Sequence, residues 1–355
     1  MHFFVLALIL SVAVHSEISE FEFFQSRCDY NCTFEPYYLD SESIKVFPKN
    51  CPSVCAYLTI DGNSDVTEKQ LATAFKNVKT LYGFLKVLRT NFKSAKFLLG
   101  LEVLECDSDS ELAFHSNFEM TEIGMINLKS TSCDIRIDNN PKLEKLNLPK
   151  LKNFYTVFLP PRLSIGITYK LCVTIEEMTH FLTSEVLEMW PFNMQYCNVS
   201  SIEIAKFEEK ICELLKFDLK TFDPACKRVI GNVFIGPGDE ENVGKLKNLT
   251  WIYGRLIING TQISKIDFLD NLKYVAYFEG DDQYATYILN NKNLVEASFP
   301  KLKLIRTLNE NSRQLVFHDN NPELSSDSEF CFRLKNELNT TKQYIPEIDG
   351  RSCGK

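Results

Sequence analysis

The residues of this chain that could do chemistry are twelve cysteines, three histidines beyond position 16 and a few short acidic runs. Cys28-x3-Cys32 and Cys51-x3-Cys55 have a spacing that could hold zinc through four thiolates. The competing reading is a nested pair of disulfides, which an oxidising compartment favours. Local spacing suggests the pairs Cys28–Cys55, Cys32–Cys51, Cys106–Cys133, Cys172–Cys197, Cys212–Cys226 and Cys331–Cys353. Of these, Cys106–Cys133 would staple adjacent turns of chain and the others would staple caps.

Histidine offers little. His115, His180 and His318 form no His-Glu-x-x-His pair, and there is no Gly-x-Ser-x-Gly elbow. His318 falls where a duplicated segment has Ile137, an inward position, so a core histidine is expected there. The runs Asp107-Ser-Asp109-Ser-Glu111, Asp239-Glu240-Glu241 and Asp281-Asp282 could bind calcium. None has the ordered ligand spacing of an EF-hand loop, so they read as solvated turns. Gly236-Pro237-Gly238 is a turn, because no phosphate-loop Lys-Ser/Thr follows it. The expectation is a non-enzyme with no catalytic, cofactor-binding or metal-binding residues.

The totals bound the partners. The chain has 355 residues, 45% hydrophobic and 24% charged, which is a globular composition with room for two cores. A formal charge of −8 without a long basic run argues against nucleic acid and anionic membranes as partners. Residues 1–16, MHFFVLALILSVAVHS, read as a signal peptide, with Val14 and Ser16 placed for a cut before Glu17. Asn-x-Ser/Thr sequons stand at Asn31, Asn198, Asn248, Asn259 and Asn339. No later apolar run approaches the ~18–20 residues that span a bilayer, and the tail 340–355 is polar. A secreted, extracellular glycoprotein without a membrane span is the expectation.

The elements that must position these residues are repeated. Asp138-Asn139-Asn140-Pro141-Lys-Leu143 returns as Asp319-Asn320-Asn321-Pro322-Glu-Leu324. At an offset of 171, Leu81-Tyr82-Gly83-Phe-Leu85-Lys-Val87 lies over Ile252-Tyr253-Gly254-Arg-Leu256-Ile-Ile258, and Thr90 lies over Thr261. At about 174, Asn117 meets Asn291. Sparse leucines followed by asparagines suit a stack of turns, with apolar side chains inward and asparagine amides bonded to the neighbouring turn. Spacing suggests turns of about 20 to 25 residues, each carrying a short strand that is stable only when stacked.

Helices are expected over 67–75, from Cys172 to Leu182, over 202–215 and from Cys331 to Leu338, and one strand over 229–235. The aromatic lead-in, 17–50, should cap the first stack. The join over 183–196 lacks a Gly/Ser- or Pro-rich linker, so the two halves should pack together with a limited hinge.

The Asn-Asn-Pro-x-Leu motif, the Tyr-Gly-x-Leu-x-Val segment and the Cys-led terminal helices resemble receptor L domains, the ligand-binding modules of insulin and epidermal growth factor receptors. The tandem is similar to a nematode group of secreted insulin/EGF-receptor L-domain proteins. The resemblance covers roughly residues 50–182 and 197–353. It implies a mainly β fold with capping helices, made of two tandem single-stranded right-handed β-helix, leucine-rich-repeat-like solenoid domains. The organisation implied is signal peptide 1–16, capping segment 17–50, first L domain 51–196 and second L domain 197–355.

The chain departs from the full receptors in lacking a cysteine-rich module, a membrane span and a kinase, so ligand binding is what the resemblance leaves. No hormone-contacting residue of the receptors is carried over. The outward residues of successive strands would form the binding face: Phe84, Lys86, Leu88, Asp134, Arg136 and Asp138 in the first copy, Arg255 and Ile257 in the second. The function expected is capture of an insulin-like or EGF-like peptide, or of a receptor ectodomain, modulating extracellular signalling. The alternative is a structural or adhesive glycoprotein without a soluble ligand.

Overall fold

The structure, a computed structural model, describes residues 26–107, 110–190, 194–278, 285–307, 315–337 and 346–353. The expected leader, Asn339, Asp109, Asp281 and Asp282 lie outside the described residues. The fold is mainly β with few helices, and its strands are short, many of only two to five residues. Strands this short are held by their neighbours. Among the described residues every named strand pairing is parallel except Glu347–Ile348 with Arg351–Ser352.

In the first half the strands Ser53–Asp61, Thr80–Leu88, Glu111–His115, Asp134–Asp138, Arg162–Ile165 and Glu188–Trp190 pair in that order. Leu58, Leu85, Leu112, Ile135 and Leu163 lie side by side across this sheet and are buried, as are Ile60, Val87, Phe114, Ile137 and Ile165. The alternate residues face outward, as the two-residue period of a strand requires. Successive turns run 23 residues from Leu112 to Ile135, as spacing suggests, but 30 from Leu256 to Thr286, which is longer. Thr80–Leu88 is a fork: its beginning pairs with Val103–Glu105 and its end with Glu111–His115.

The second half separates the two arms of that fork completely. Arg228–Ile230, Trp251–Tyr253, Tyr274–Ala276 and Leu304–Arg306 make one ladder. Val233–Ile235, Leu256–Asn259, Thr286–Leu289 and Leu315–His318 make another. The expected single strand over 229–235 is therefore two strands in different sheets. Gly231 sits at the break with φ +120°, and a Cβ there would lie 2.8 Å from the Leu214 carbonyl oxygen. Only glycine takes that corner cheaply.

Buried asparagines tie the turns at one corner. Thr90 N and Oγ1 donate to Asn117 Oδ1 (3.0 and 2.8 Å), Asn117 N donates to Asn140 Oδ1 (2.9 Å), and Asn117 Nδ2 donates to the Val87 carbonyl (2.9 Å). Thr261, Asn291 and Asn320 repeat this arrangement. Asn320, not Asn321, thus corresponds to Asn140; Asn321 instead caps the short helix Pro322–Ser326 through Glu323 N at 2.9 Å. That one-residue slip turns His318 outward, where it is exposed beside Asp319 at 3.0 Å. The expectation of a core histidine is corrected, because a shift of one residue exchanges the two faces of a strand; Phe317 takes the inward place.

The helices also differ from expectation in their bounds. Cys172–Val173 is a strand, and the helix behind it is Ile175–Thr183, opened by a Thr174/Glu177 capping box. The first helix is Glu68–Ala74, capped by Thr67 and Gln70, and the last helix starts at Ser328 rather than Cys331. The stretch 202–215 is not one helix: Ser201–Ile204 is a single short turn and Ile211–Glu213 is a strand stapled by Cys212–Cys226. Tertiary pairing with Arg228–Ile230 outweighs helix propensity there.

The two halves pack directly. Trp251, Tyr253, Tyr274, Ala276 and Phe278 join the apolar core that is centred on the first half. Tyr196 sets its ring edge-on to Tyr253 and Phe278, both at 5.7 Å, and donates its hydroxyl to the Ala276 carbonyl at 3.0 Å. Thr179, on the helix that ends the first half, is 2.7 Å from the buried Tyr253 hydroxyl.

Candidate functional site

The widest outward surface belongs to the first-half sheet. Pairing places Tyr57, Phe84, Glu111, Asp134 and Arg162 in one lateral row, and Thr59, Lys86, Ala113, Arg136 and Ser164 in the next. Asp61, Leu88, His115 and Asp138 form a third row. Phe84, Lys86, Leu88, Asp134, Arg136 and Asp138 thus share one face, assembled from strands far apart in sequence.

Phe84 is not an open contact on that face. It is only 8% exposed, because Tyr37 lies edge-on to its ring at 5.3 Å and Tyr57 lies tilted at 5.0 Å. The lead-in brings Tyr37 there: Leu39 N and Thr59 N exchange hydrogen bonds with the carbonyls of Thr59 and Tyr37 at 2.9 Å, adding an edge to the sheet. Tyr38, 53% exposed, stacks edge-on against Tyr37 at 5.1 Å. Sequence reasoning read these tyrosines as a cap and missed that they complete the face. The signal was present in the aromatic density of residues 30–38, but the pairing that aims them is non-local.

Cations interleave with the aromatics. Lys86 Nζ lies 4.8 Å over the Phe84 ring and 3.3 Å from Glu111. Arg136 is exposed in the middle of the face. Asp134 is held by Arg162, both through Nε at 3.7 Å and through its backbone N–H at 2.8 Å. Asp138 faces His115 Nδ1 at 3.4 Å and accepts from Ile167 N at 3.3 Å. Tyr57 donates to Asp107, so that acidic residue positions an aromatic. The arrangement offers stacking and charge-assisted hydrogen bonds to a peptide or protein surface; among the described residues no nucleophile is paired with a base on this face.

The second-half residues sit elsewhere. Arg255 stacks 4.1 Å over the Tyr277 ring, and Ile257 lies in an outward row with Phe234, Tyr287 and Val316. A cleft of about 550 Å³ between the halves is lined by Glu176, His180, Lys206, Arg228, Trp251 and Tyr274. Two of its cations are paired: Lys206 with Glu176 at 3.5 Å, and Arg228 with Glu209 at 2.6 Å while covering the Trp251 ring at 4.7 Å. Burial holds His180 below its ordinary pKa. His318, Asp319 and Asp349 are close enough to share an ion, but all three are exposed and Asp349 already accepts from Asp319 N at 2.9 Å.

All twelve cysteines are consumed in disulfides, joined as Cys28–Cys55, Cys32–Cys51, Cys106–Cys133, Cys172–Cys197, Cys212–Cys226 and Cys331–Cys353. The sulfurs of the four residues considered for zinc are therefore bonded to one another as disulfides and are not thiolates. Among the sequons, Asn31, Asn198 and Asn248 are exposed and Asn259 is half-buried on the second-half sheet. Asp239 and Glu240 accept backbone bonds from Gly236, Gly238 and Gln262, so this acidic run closes a turn. Among the described residues no helix is long and apolar enough to cross a membrane.

The receptor L domain family model matches the chain twice, over residues 50–151 and 225–336. No curated protein matches it.

Proposed function

The chain belongs to the receptor L domain family, and we propose on that premise that it is a secreted, non-catalytic binding protein that captures an extracellular peptide or protein ligand. The ligand class that fits is an insulin-like or EGF-like peptide, or a receptor ectodomain, and its capture would modulate extracellular signalling. Receptor L domains are ligand-binding modules. The observation that carries the reading is the first-half face, where Tyr37 and Tyr57 pack on Phe84, and Tyr38 on Tyr37, beside Lys86 and Arg136. Aromatic and arginine side chains are the groups that dominate binding hot spots.

We further infer that each half is a single-stranded right-handed β-helix. The parallel ladders and the asparagine corners support this. The division we favour is a leader at 1–16, a cap at 17–50, and domains at 51–196 and 197–355, with six disulfides supporting an extracellular site of action.

The test is direct binding of the purified protein to a panel of such peptides and ectodomains. Saturable binding that weakens by about tenfold or more in Arg136→Glu and Lys86→Glu is expected, since tenfold corresponds to roughly 1.4 kcal/mol. A folded sample that binds nothing in the panel, and self-associates instead, would replace this reading with the structural one.

A further inference from the structure

We propose that the partly exposed apolar surface around Phe234 on the second-half sheet is the seat of the chain's own N-linked glycan at Asn259, with the Phe234 ring carrying its first sugar. The inference rests on the secreted reading above and extends it to say which of the two sheet faces stays open.

Asn259 ends the strand Leu256–Asn259, in which Leu256 and Ile258 are buried. Ile257 and Asn259 therefore point to the outer face together. On one side, Ile235 pairs with Ile258, so Gly236 follows at the level of Asn259. A Cβ on Gly236 would lie 2.8 Å from Phe234 Cε1. The Phe234 ring is thus folded along its strand over Gly236, into the space beside Asn259 that any other side chain would fill. On the other side Leu289 pairs with Asn259. Phe234 is 47% exposed, and together with Ile257 and Leu289 it surrounds Asn259 with apolar surface on three sides.

The amide itself is presented for modification. Asn290 Nδ2 donates to Asn259 Oδ1 at 3.0 Å, which fixes the carbonyl end and leaves Nδ2 without an acceptor among the described residues. Asn248 differs, because its Nδ2 donates to the Pro224 carbonyl at 3.0 Å. In the sequon Asn259-Gly260-Thr261, attachment forms a bond from Nδ2 to C1 of the first N-acetylhexosamine. Nδ2 gives up a proton, and the C1–O bond to the diphosphate of a polyprenyl-linked oligosaccharide donor breaks, the diphosphate leaving with the electron pair. The pyranose then lays its C–H face on the electron-rich face of the Phe234 ring. The apolar surface of Phe234, Ile257 and Leu289 is then covered, and the first-half face is the one left for a ligand.

The full-length protein secreted from eukaryotic cells is mapped by glycopeptide mass spectrometry, and its thermal unfolding is followed as the glycans are trimmed. Asn259 should carry a glycan. Trimming to a single N-acetylhexosamine should leave Tm unchanged, whereas Asn259→Gln should lower it by about 2–4 °C. In Phe234→Ala, or in Phe234→Leu where the alanine variant does not fold, Asn259→Gln should produce no such loss. An unmodified Asn259 in a chain that carries glycans at Asn31 or Asn198 overturns the proposal while sparing the secreted reading. An equal Tm loss with and without the Phe234 ring also overturns it. A chain that is not exported, or is exported with no glycan at any sequon, overturns the proposal and the glycoprotein reading together.

Discussion

Asn117 and Asn291 do at residue scale what the repeat demands. Each is fully buried, bonds the turn before through its amide and the turn after through its backbone N–H, and Asn291 Nδ2 also reaches forward to Asn320 Oδ1 at 3.0 Å. A buried amide is tolerated only when its donors and acceptors are filled. Asn117→Ala strands the Val87 carbonyl and the Thr90 N–H and hydroxyl together. The expected loss is about 2–3 kcal/mol in urea unfolding, given the ~1–3 kcal/mol cost of an unmet buried polar group. An unchanged midpoint would mean that water replaces the amide without cost. The duplicate motifs made this ladder legible, but their identity misled by one position: Asp319-Asn320-Asn321 looks like Asp138-Asn139-Asn140, yet Asn320 enters the ladder. The backbone shows the true match, with Asn139 and Asp319 both at φ 54°.

At the scale of the element, the helix Ile175–Thr183 closes the first stack and meets the second half. Glu177 is its anchor: the carboxylate accepts from Thr174 N at 3.0 Å within the capping box and from Leu148 N at 2.7 Å on the turn beneath. Burial pushes its pKa above the ordinary glutamate value of 4.5, and the three hydrogen bonds from Leu148 and Thr174 oppose that rise. The sign follows from linkage. A carboxyl whose folded pKa is raised is most favourable to folding while protonated, below 4.5, and that contribution is lost as pH rises through the folded value. Relative to Glu177→Gln, which cannot ionise, the native chain should lose stability as pH rises from below 4.5 to neutrality. Paired urea titrations at several pH values measure this; parallel curves for the two proteins would refute it. The helix was legible in sequence but was expected to begin at Cys172, ahead of its Thr174 cap, and the reach of Glu177 to Leu148 across 29 residues was not legible.

For the whole molecule the decisive contact is the one between halves. Tyr253, 1% exposed, stands in the second-half sheet but packs into the first-half core and bonds Thr179 and Arg228. The second half keeps a core of its own, but the first-half core reaches across the join into its sheet, and that coupling predicts one cooperative transition. Calorimetry of the native chain should show a single peak. Tyr253→Ala should remove about 3–5 kcal/mol of packing and split the peak or shift its first part downward. Two resolved peaks in the native chain would mean that the halves unfold independently.

By itself the sequence determined the family and the duplication, and it suggested the stacked turns and the cysteine partners, because each is written in local spacing or in the likeness of one half to the other; the structure joins the cysteines as that spacing suggested. Only the tertiary structure decided which outward residues are open. Phe84 is covered because a tyrosine 47 positions earlier pairs onto its sheet, His318 is exposed because one residue of register exchanges the faces of a strand, and the stretch 202–215 gives up its helix to a strand partner beyond Cys226. Local pattern specifies which face of an element is apolar. What covers the other face is set by long-range packing, and no short motif carries that information.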